Sequence, residues 1–266
     1  MPFSIRGLLF VALVASLFTT VAGQSILIDS YTERGKMAFE GGDLVMAEQL
    51  FKAALSEAER SVEPEQIATC SVNLGKVHQA RGAFDLAERL YLKALEVFEK
   101  LDGKDTERAL YAMNNLGLLY AEKKEFTKAE EYLRRTLTIR QKLFGKNDPD
   151  VAVTMLNLGK LYADQKKFVE ADAVYLRSFE ILIQHPEDML EETLVCLHNL
   201  SLSTQEINNP KRAESVFKMW IAIIEKNFGK SSLRLSEPLT GYVTFLKTKK
   251  RSAEAKLLER RLKLLK

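Results

Sequence analysis

The sequence predicts an all-α solenoid of about six helix-turn-helix repeats. Three observations carry this expectation. First, Asn73, Asn115, Asn157 and Asn199 recur at a spacing of 42 residues, and each opens a near-copy of one phrase. The phrase is Asn-Leu-Gly in the first three copies and Asn199-Leu200-Ser201 in the fourth. Second, apolar residues fall three and four apart, as in Leu110, Met113, Leu116, Gly117 and Tyr120, while strand-like alternation is absent. Third, a glycine on the first stripe is followed twelve residues later by an alanine, at Gly35–Ala47, Gly75–Ala87, Gly117–Ala129 and Gly159–Ala171. A large residue stands four beyond each alanine, at Phe51, Tyr91, Leu133 and Tyr175. A fixed period of this length marks units that bury their apolar faces only against neighbours.

The first 23 residues stand outside the repeat. Arg6 precedes an uncharged apolar run, Gly7 to Phe18, and small residues follow from Thr19 to Gly23. This is the layout of a secretory signal peptide, and the run is shorter than the roughly 20 apolar residues of a spanning helix. Cleavage is expected after Gly23, with Ala22 as the neighbouring choice; the rival reading is an uncleaved N-terminal anchor. Both place the repeats outside the cytoplasm, periplasmic or secreted. Residues 24–266 then form the solenoid, with repeats at about 27–62, 66–103, 106–145, 148–186, 190–229 and 232–266, the last as a cap.

Local signals justify each element. Gly41-Gly42-Asp43, Arg81-Gly82, Glu122-Lys123-Lys124-Glu125 and Asn208-Asn209-Pro210 read as turns between paired helices. Asp148-Pro149 reads as a helix start, because the carboxylate caps free amides and proline suits the first turn. Phe144-Gly145 and Phe228-Gly229 read as stops, with glycine in the left-handed conformation. Units one and two are spaced by 40 residues rather than 42. Unit five carries Ser201 and Thr204 where its neighbours carry glycine and an aromatic. Trp220 occupies a position that is small elsewhere and is read as plugging the junction with unit six rather than as a binding hot spot; unit six keeps only Ala255 and Tyr242–Leu246 of the pattern.

The register of small and large residues is the tetratricopeptide pattern. The stretch Lys142-Leu143-Phe144-Gly145-Lys146-Asn147-Asp148-Pro149-Asp150-Val151-Ala152, running on to Leu156-Asn157-Leu158-Gly159, resembles the long repeat of kinesin light chain. The resemblance covers about residues 27–265 and is strongest in units two to four. It implies a right-handed superhelix whose first helices line a concave groove, and a ladder of asparagines before Leu-Gly that holds an extended peptide backbone. The matching residues are Asn73, Asn115, Asn157 and Asn199. A carboxamide offers both donor and acceptor, so it pairs with a peptide bond of any sequence. The alternative reading is that each asparagine braces the adjacent helix.

Neighbouring groove positions would add selectivity. One row is Val72, Asn114, Leu156 and His198; the other is Lys76, Leu118, Lys160 and Leu202. Lys76 and Lys160 suit acidic groups, and Leu118, Leu156 and Leu202 suit apolar side chains, so the expected partner is an amphipathic or acidic-hydrophobic protein segment. The competing class is a structural subunit of a complex or homo-oligomer without exchangeable ligand.

Composition argues against other classes. The net charge is +3, and from Lys247 onward nine Lys/Arg accompany only Glu254 and Glu259. These charges read as the polar outer face of the last repeat, leaving nucleic acid disfavoured and membrane contact only through an uncleaved N-terminal segment or this basic helix. Cys70 and Cys196 occupy equivalent sites three repeats apart, too far to pair, since a disulfide needs Cα atoms within about 7 Å. His78 replaces a core tyrosine, and His185 and His198 lie in other repeats, so no metal site is expected. No phosphate loop or nucleophile motif occurs, and neither catalysis, a cofactor nor a small-molecule substrate is expected.

Overall fold

A helix with an apolar stripe needs a second stripe to cover it, and the repeats supply one each in hairpins. A computed structural model describes residues 25–265. The expected signal segment and its cleavage point lie outside the described residues. Within them are twelve α-helices, one 3-10 turn at Leu233–Leu235 and no strand. The first helix, α1, is described over 25–40 and pairs with α2 (Leu44–Ser61). The following pairs are α3 (Pro64–Ala80) with α4 (Phe84–Asp102), and α5 (Glu107–Glu122) with α6 (Phe126–Phe144). Then come α7 (Pro149–Asp164) with α8 (Phe168–Leu182), α9 (Leu190–Glu206) with α10 (Pro210–Phe228), and α11 (Ser236–Thr248) with α12 (Ser252–Leu262). The chain divides into two compact units, residues 1–139 and 140–266, and the division falls within α6.

Every turn inside a pair closes the same way. The residue at one register position has positive φ: Gly42, Gly82, Lys124, Lys166, Asn208 and Lys250. The next amide donates five residues back, as Asp43 N to Ala38 O at 2.9 Å and Arg251 N to Leu246 O at 2.9 Å. This is the Schellman closure of a helix end. Asp148 caps α7 as expected, its Oδ1 accepting from Asp150 N at 2.8 Å. Gly229 departs from expectation: φ is 86° and ψ 161°, an extended mirror-image conformation rather than the left-handed helical one.

Packing within a pair depends on the repeat glycines. A Cβ added at Gly35 would lie 2.6 Å from Phe51, at Gly75 2.5 Å from Tyr91, at Gly117 2.7 Å from Leu133, and at Gly159 2.4 Å from Tyr175. In unit five, Ser201 fills this slot, and the equivalent ring, Phe217, lies instead against Gly241 of α11 and stacks on Tyr242 with centroids 5.4 Å apart.

Ion pairs link successive repeats at positions that sequence reading leaves on the solvated helix surface. The carboxylate directly after the packing alanine pairs with a base of the following repeat. Glu48 pairs with Arg81, Glu88 with Lys123, Asp172 with Arg212, and Glu214 with Arg251. Tyr120 and Tyr242 add phenol donors to Glu88 and Glu214. The signal was present, since an acid follows that alanine at Glu48, Glu88, Glu130, Asp172 and Glu214. Glu130 pairs within its own helix with Arg134, at 2.7 Å.

Two measurements check this packing. Arg251 first, then Lys218, holds Glu214 down at about 2, against an ordinary 4.5. A carboxyl lowered on folding stabilises above its unfolded pKa, and that contribution is lost as pH falls through the folded one. The urea midpoint is therefore expected to drop between about pH 4.5 and pH 2, and to drop less in Glu214→Gln. Equal drops in both proteins would contradict the role of this pair. Cys70 and Cys196 are free and buried, and burial pushes their thiols up to about 11 and about 12. The folded chain is expected to leave both unreacted with a disulfide reagent at about pH 8, and urea to expose both. Prompt labelling of either thiol without denaturant would refute that burial.

Candidate functional site

The predicted site residues lie on the first helices of their pairs, and the structure treats them unequally. Asn73 on α3 and Asn115 on α5 are buried, 3% and 8% exposed. Both converge on Tyr111 of α5. The Tyr111 hydroxyl donates to Asn73 Oδ1 at 3.2 Å, and Asn115 Nδ2 donates to the Tyr111 carbonyl at 2.7 Å. Asn115 therefore spends its amide on its own helix and retains its oxygen as an acceptor. Asn157 on α7 and Asn199 on α9 are half-buried.

Tyr111 went unnoticed in the sequence because the repeat gives no hint of it. The equivalent positions hold Thr69, Val153 and Val195. Only its spacing of four before Asn115 places it beside the ladder.

Around Asn73 and Tyr111, the first three repeats form a small cavity of about 90 Å³, also lined by Lys36, Phe39, Glu40, Phe51 and Lys76. Lys36 is engaged, its Nζ 2.7 Å from Glu33 Oε1, and this contact raises its pKa. Lys76 is half-buried and has no ion pair among the described residues; its Nζ lies 5.4 Å from the Phe39 ring centroid. Burial lowers the Lys76 pKa, with Glu40 opposing. A desolvated cation beside a phenol and a carboxamide suits a carboxylate or a peptide carbonyl.

The remaining candidates are less uniform. Asn114 and Leu118 are half-buried on α5, Lys160 is exposed on α7, and Leu202 is 51% exposed on α9. Leu156 is 7% exposed and Val72 fully buried, so these two side chains belong to the core rather than to a ligand-facing row. Each stands three residues before a repeat glycine, Gly75 or Gly159, and so shares the helix face that packs on the second helix of its pair. His198 is half-buried, its Nδ1 2.8 Å from Glu237 Oε1 and its ring edge-on to Trp220 at 5.5 Å. His78, expected in the core, is half-buried, and burial lowers its pKa.

Comparison with known proteins agrees with this architecture. A family profile described as tetratricopeptide repeat matches residues 27–100 and 105–184. No match is found among curated proteins. Among solved structures, BtubC (BKLC) from P. vanneervenii is 20% identical, with a TM-score of 0.66, over 79% of this chain and 91% of that one. A Podosopora anserina kinesin light chain with nearly identical TPR-like repeats is 16% identical, with a TM-score of 0.67, over 76% and 96%. A Rap protein complexed with competence and sporulation factor is 14% identical, with a TM-score of 0.65, over 89% and 74%. At these identities the likeness is one of fold.

Proposed function

The chain belongs to the tetratricopeptide repeat family, with 42-residue repeats of the kinesin-light-chain type, and from that premise we propose that it is an exported adaptor holding an extended segment of a partner protein along its first helices. The fold is that of a protein-interaction scaffold. The observation that carries the finer reading is the asparagine register beside Tyr111 and Lys76. Asn115 keeps an acceptor for a peptide N–H, and the half-buried Lys76 ammonium offers a donor and a charge to an acidic group. Such contacts grip a backbone without reading its sequence, while Lys76, Leu118, Lys160 and Leu202 bias the choice of side chains. A Rap protein of similar fold, solved with competence and sporulation factor, supports the reading by analogy.

The export proposal is supported by the signal-like layout of Met1 to Gly23. Sequencing the N-terminus of the mature protein tests it: Gln24 as the first residue supports it, and an intact Met1 in the cytoplasmic fraction contradicts it.

A second reading, a structural subunit, is favoured by apolar side chains exposed on the first helix pair. Ile26, Met37 and Val45 are 69%, 63% and 61% exposed. Sedimentation over a wide concentration range separates the two. A monomer at every dilution eliminates the homo-oligomeric version, and a fixed oligomer favours it over the adaptor.

A further inference from the structure

Trp220 stands seven residues after the packing alanine of its repeat, Ala213. The same slot holds Ala54, Ala94, Thr136 and Ser178 in the four preceding repeats, each fully buried. Where the slot is small, the next first helix packs close: Cys196 Sγ of α9 donates to the Tyr175 carbonyl of α8 at 3.3 Å. In unit five the slot holds an indole, and the residue equivalent to Cys196 is Pro238. Beside the indole lies a cavity of about 560 Å³, within the range of roughly 300–1,000 Å³ typical of ligand sites.

The lining of this cavity divides into floor and rim. Leu194, Val195, Trp220, Ile224 and Leu233 give an apolar interior. Val195 and Leu233 are 52% and 64% exposed, so apolar surface reaches the mouth uncovered. The rim carries two carboxylates, Glu191 and Glu237, with side chains each 64% exposed. Arg234 pairs with Glu191 and is set over the Phe228 ring at 4.3 Å, while His198 holds Glu237. The rim thus sets two exposed carboxylates against one guanidinium, with the His198 imidazole beside Glu237.

We propose that this cavity is an anchor site for one bulky apolar side chain of an extended partner segment that carries a basic residue beside it. The proposal deepens the groove reading above, on which it rests only for the partner being an extended protein segment; the charge preference at this junction is opposite to that at Lys76. A hydrophobic anchor laid against the apolar floor of this open cavity supplies affinity, and the carboxylate rim disfavours segments with a carboxylate next to the anchor.

Trp220 is the single tryptophan of the chain and forms part of the wall, so its fluorescence reports occupancy. The full chain is titrated with three capped tripeptides, Lys-Phe-Gly, Glu-Phe-Gly and Lys-Gly-Gly. Lys-Phe-Gly is expected to give a saturable change, Glu-Phe-Gly one about tenfold weaker, and Lys-Gly-Gly none. Val195→Asp with Leu233→Asp, both at exposed positions, is expected to abolish the Lys-Phe-Gly response while leaving circular dichroism unchanged. A linear response common to all three peptides, or a saturable one surviving in that double variant, overturns the proposal. The response is expected to persist in Asn115→Ala with Asn157→Ala, which alters the ladder alone. Its persistence there assigns the signal to the cavity, whether or not the ladder binds a partner; its loss there contradicts the assignment.

Discussion

Gly159→Val is expected to cost the chain about 3 kcal/mol of stability, among the larger effects of a single methyl-bearing substitution. The Cβ alone would sit 2.4, 2.6 and 2.9 Å from three atoms of the Tyr175 ring. That ring is 1% exposed and has no room to swing aside. Valine adds two further carbons on the same side, and α7 must then part from α8 along its central turns. Its better helix propensity than glycine offsets only a few tenths of a kcal/mol. Unit five shows what the slot demands once a side chain fills it: with Ser201 in place, Phe217 packs on Gly241 and Tyr242 of the next repeat. Ser201→Gly is accordingly expected to change stability by less than about 0.5 kcal/mol. Urea unfolding of the three proteins checks both statements, and a loss below about 1 kcal/mol in Gly159→Val would show that the glycine is not required for close approach.

Asn115→Ala with Asn157→Ala is expected to weaken partner binding by about 30- to 150-fold, or 2–3 kcal/mol, with little change in melting temperature. The stability side follows from what Asn115 does in the free protein. Its amide bonds the Tyr111 carbonyl four residues back, which is the standard acceptor of the helix ladder. Losing that bond is offset by the better helix propensity of alanine. The binding side follows from the ligand. Two peptide groups would lose a partner inside a groove from which water has been displaced, and an unmatched buried group costs about 1–3 kcal/mol. Matched losses of stability and binding would return the asparagines to a bracing role.

Much of the fold was legible because the repeat writes it several times. The Gly-to-Ala spacing located both helices of a pair, and the large residue four later named the ring that covers the glycine; Gly75 against Tyr91 and Gly159 against Tyr175 bear this out. Turns were readable at Gly82 and Asn208 and in the charged stretch from Glu122 to Glu125, but not that Lys124, Lys166 and Lys250 adopt the same positive φ. Lysine carries no turn signal, and only the register reveals the shared closure. The repeat-to-repeat ion pairs were hidden for a related reason: Glu88 and Lys123 are far apart in sequence and look like ordinary solvated charges.

The candidate site was legible in register but not in exposure. Asparagine positions follow from the period, whereas Leu156 and Val72 sink into the core because pair packing turns them inward. Tyr111 and Trp220 matter as departures from the repeat, and a period reads what recurs. The cavity beside Trp220 arises from side-chain bulk at one junction, which spacing alone does not convey.

The asparagine ladder is the element proposed to hold a partner. The most direct measurement is capture from the exported fraction on immobilised mature chain, with Asn115→Ala/Asn157→Ala alongside, both checked for fold by circular dichroism and read by mass spectrometry. The expected result is a protein retained by the wild type and missing from the equally folded variant. Equal retention by both would contradict it and place the binding surface elsewhere on the repeats.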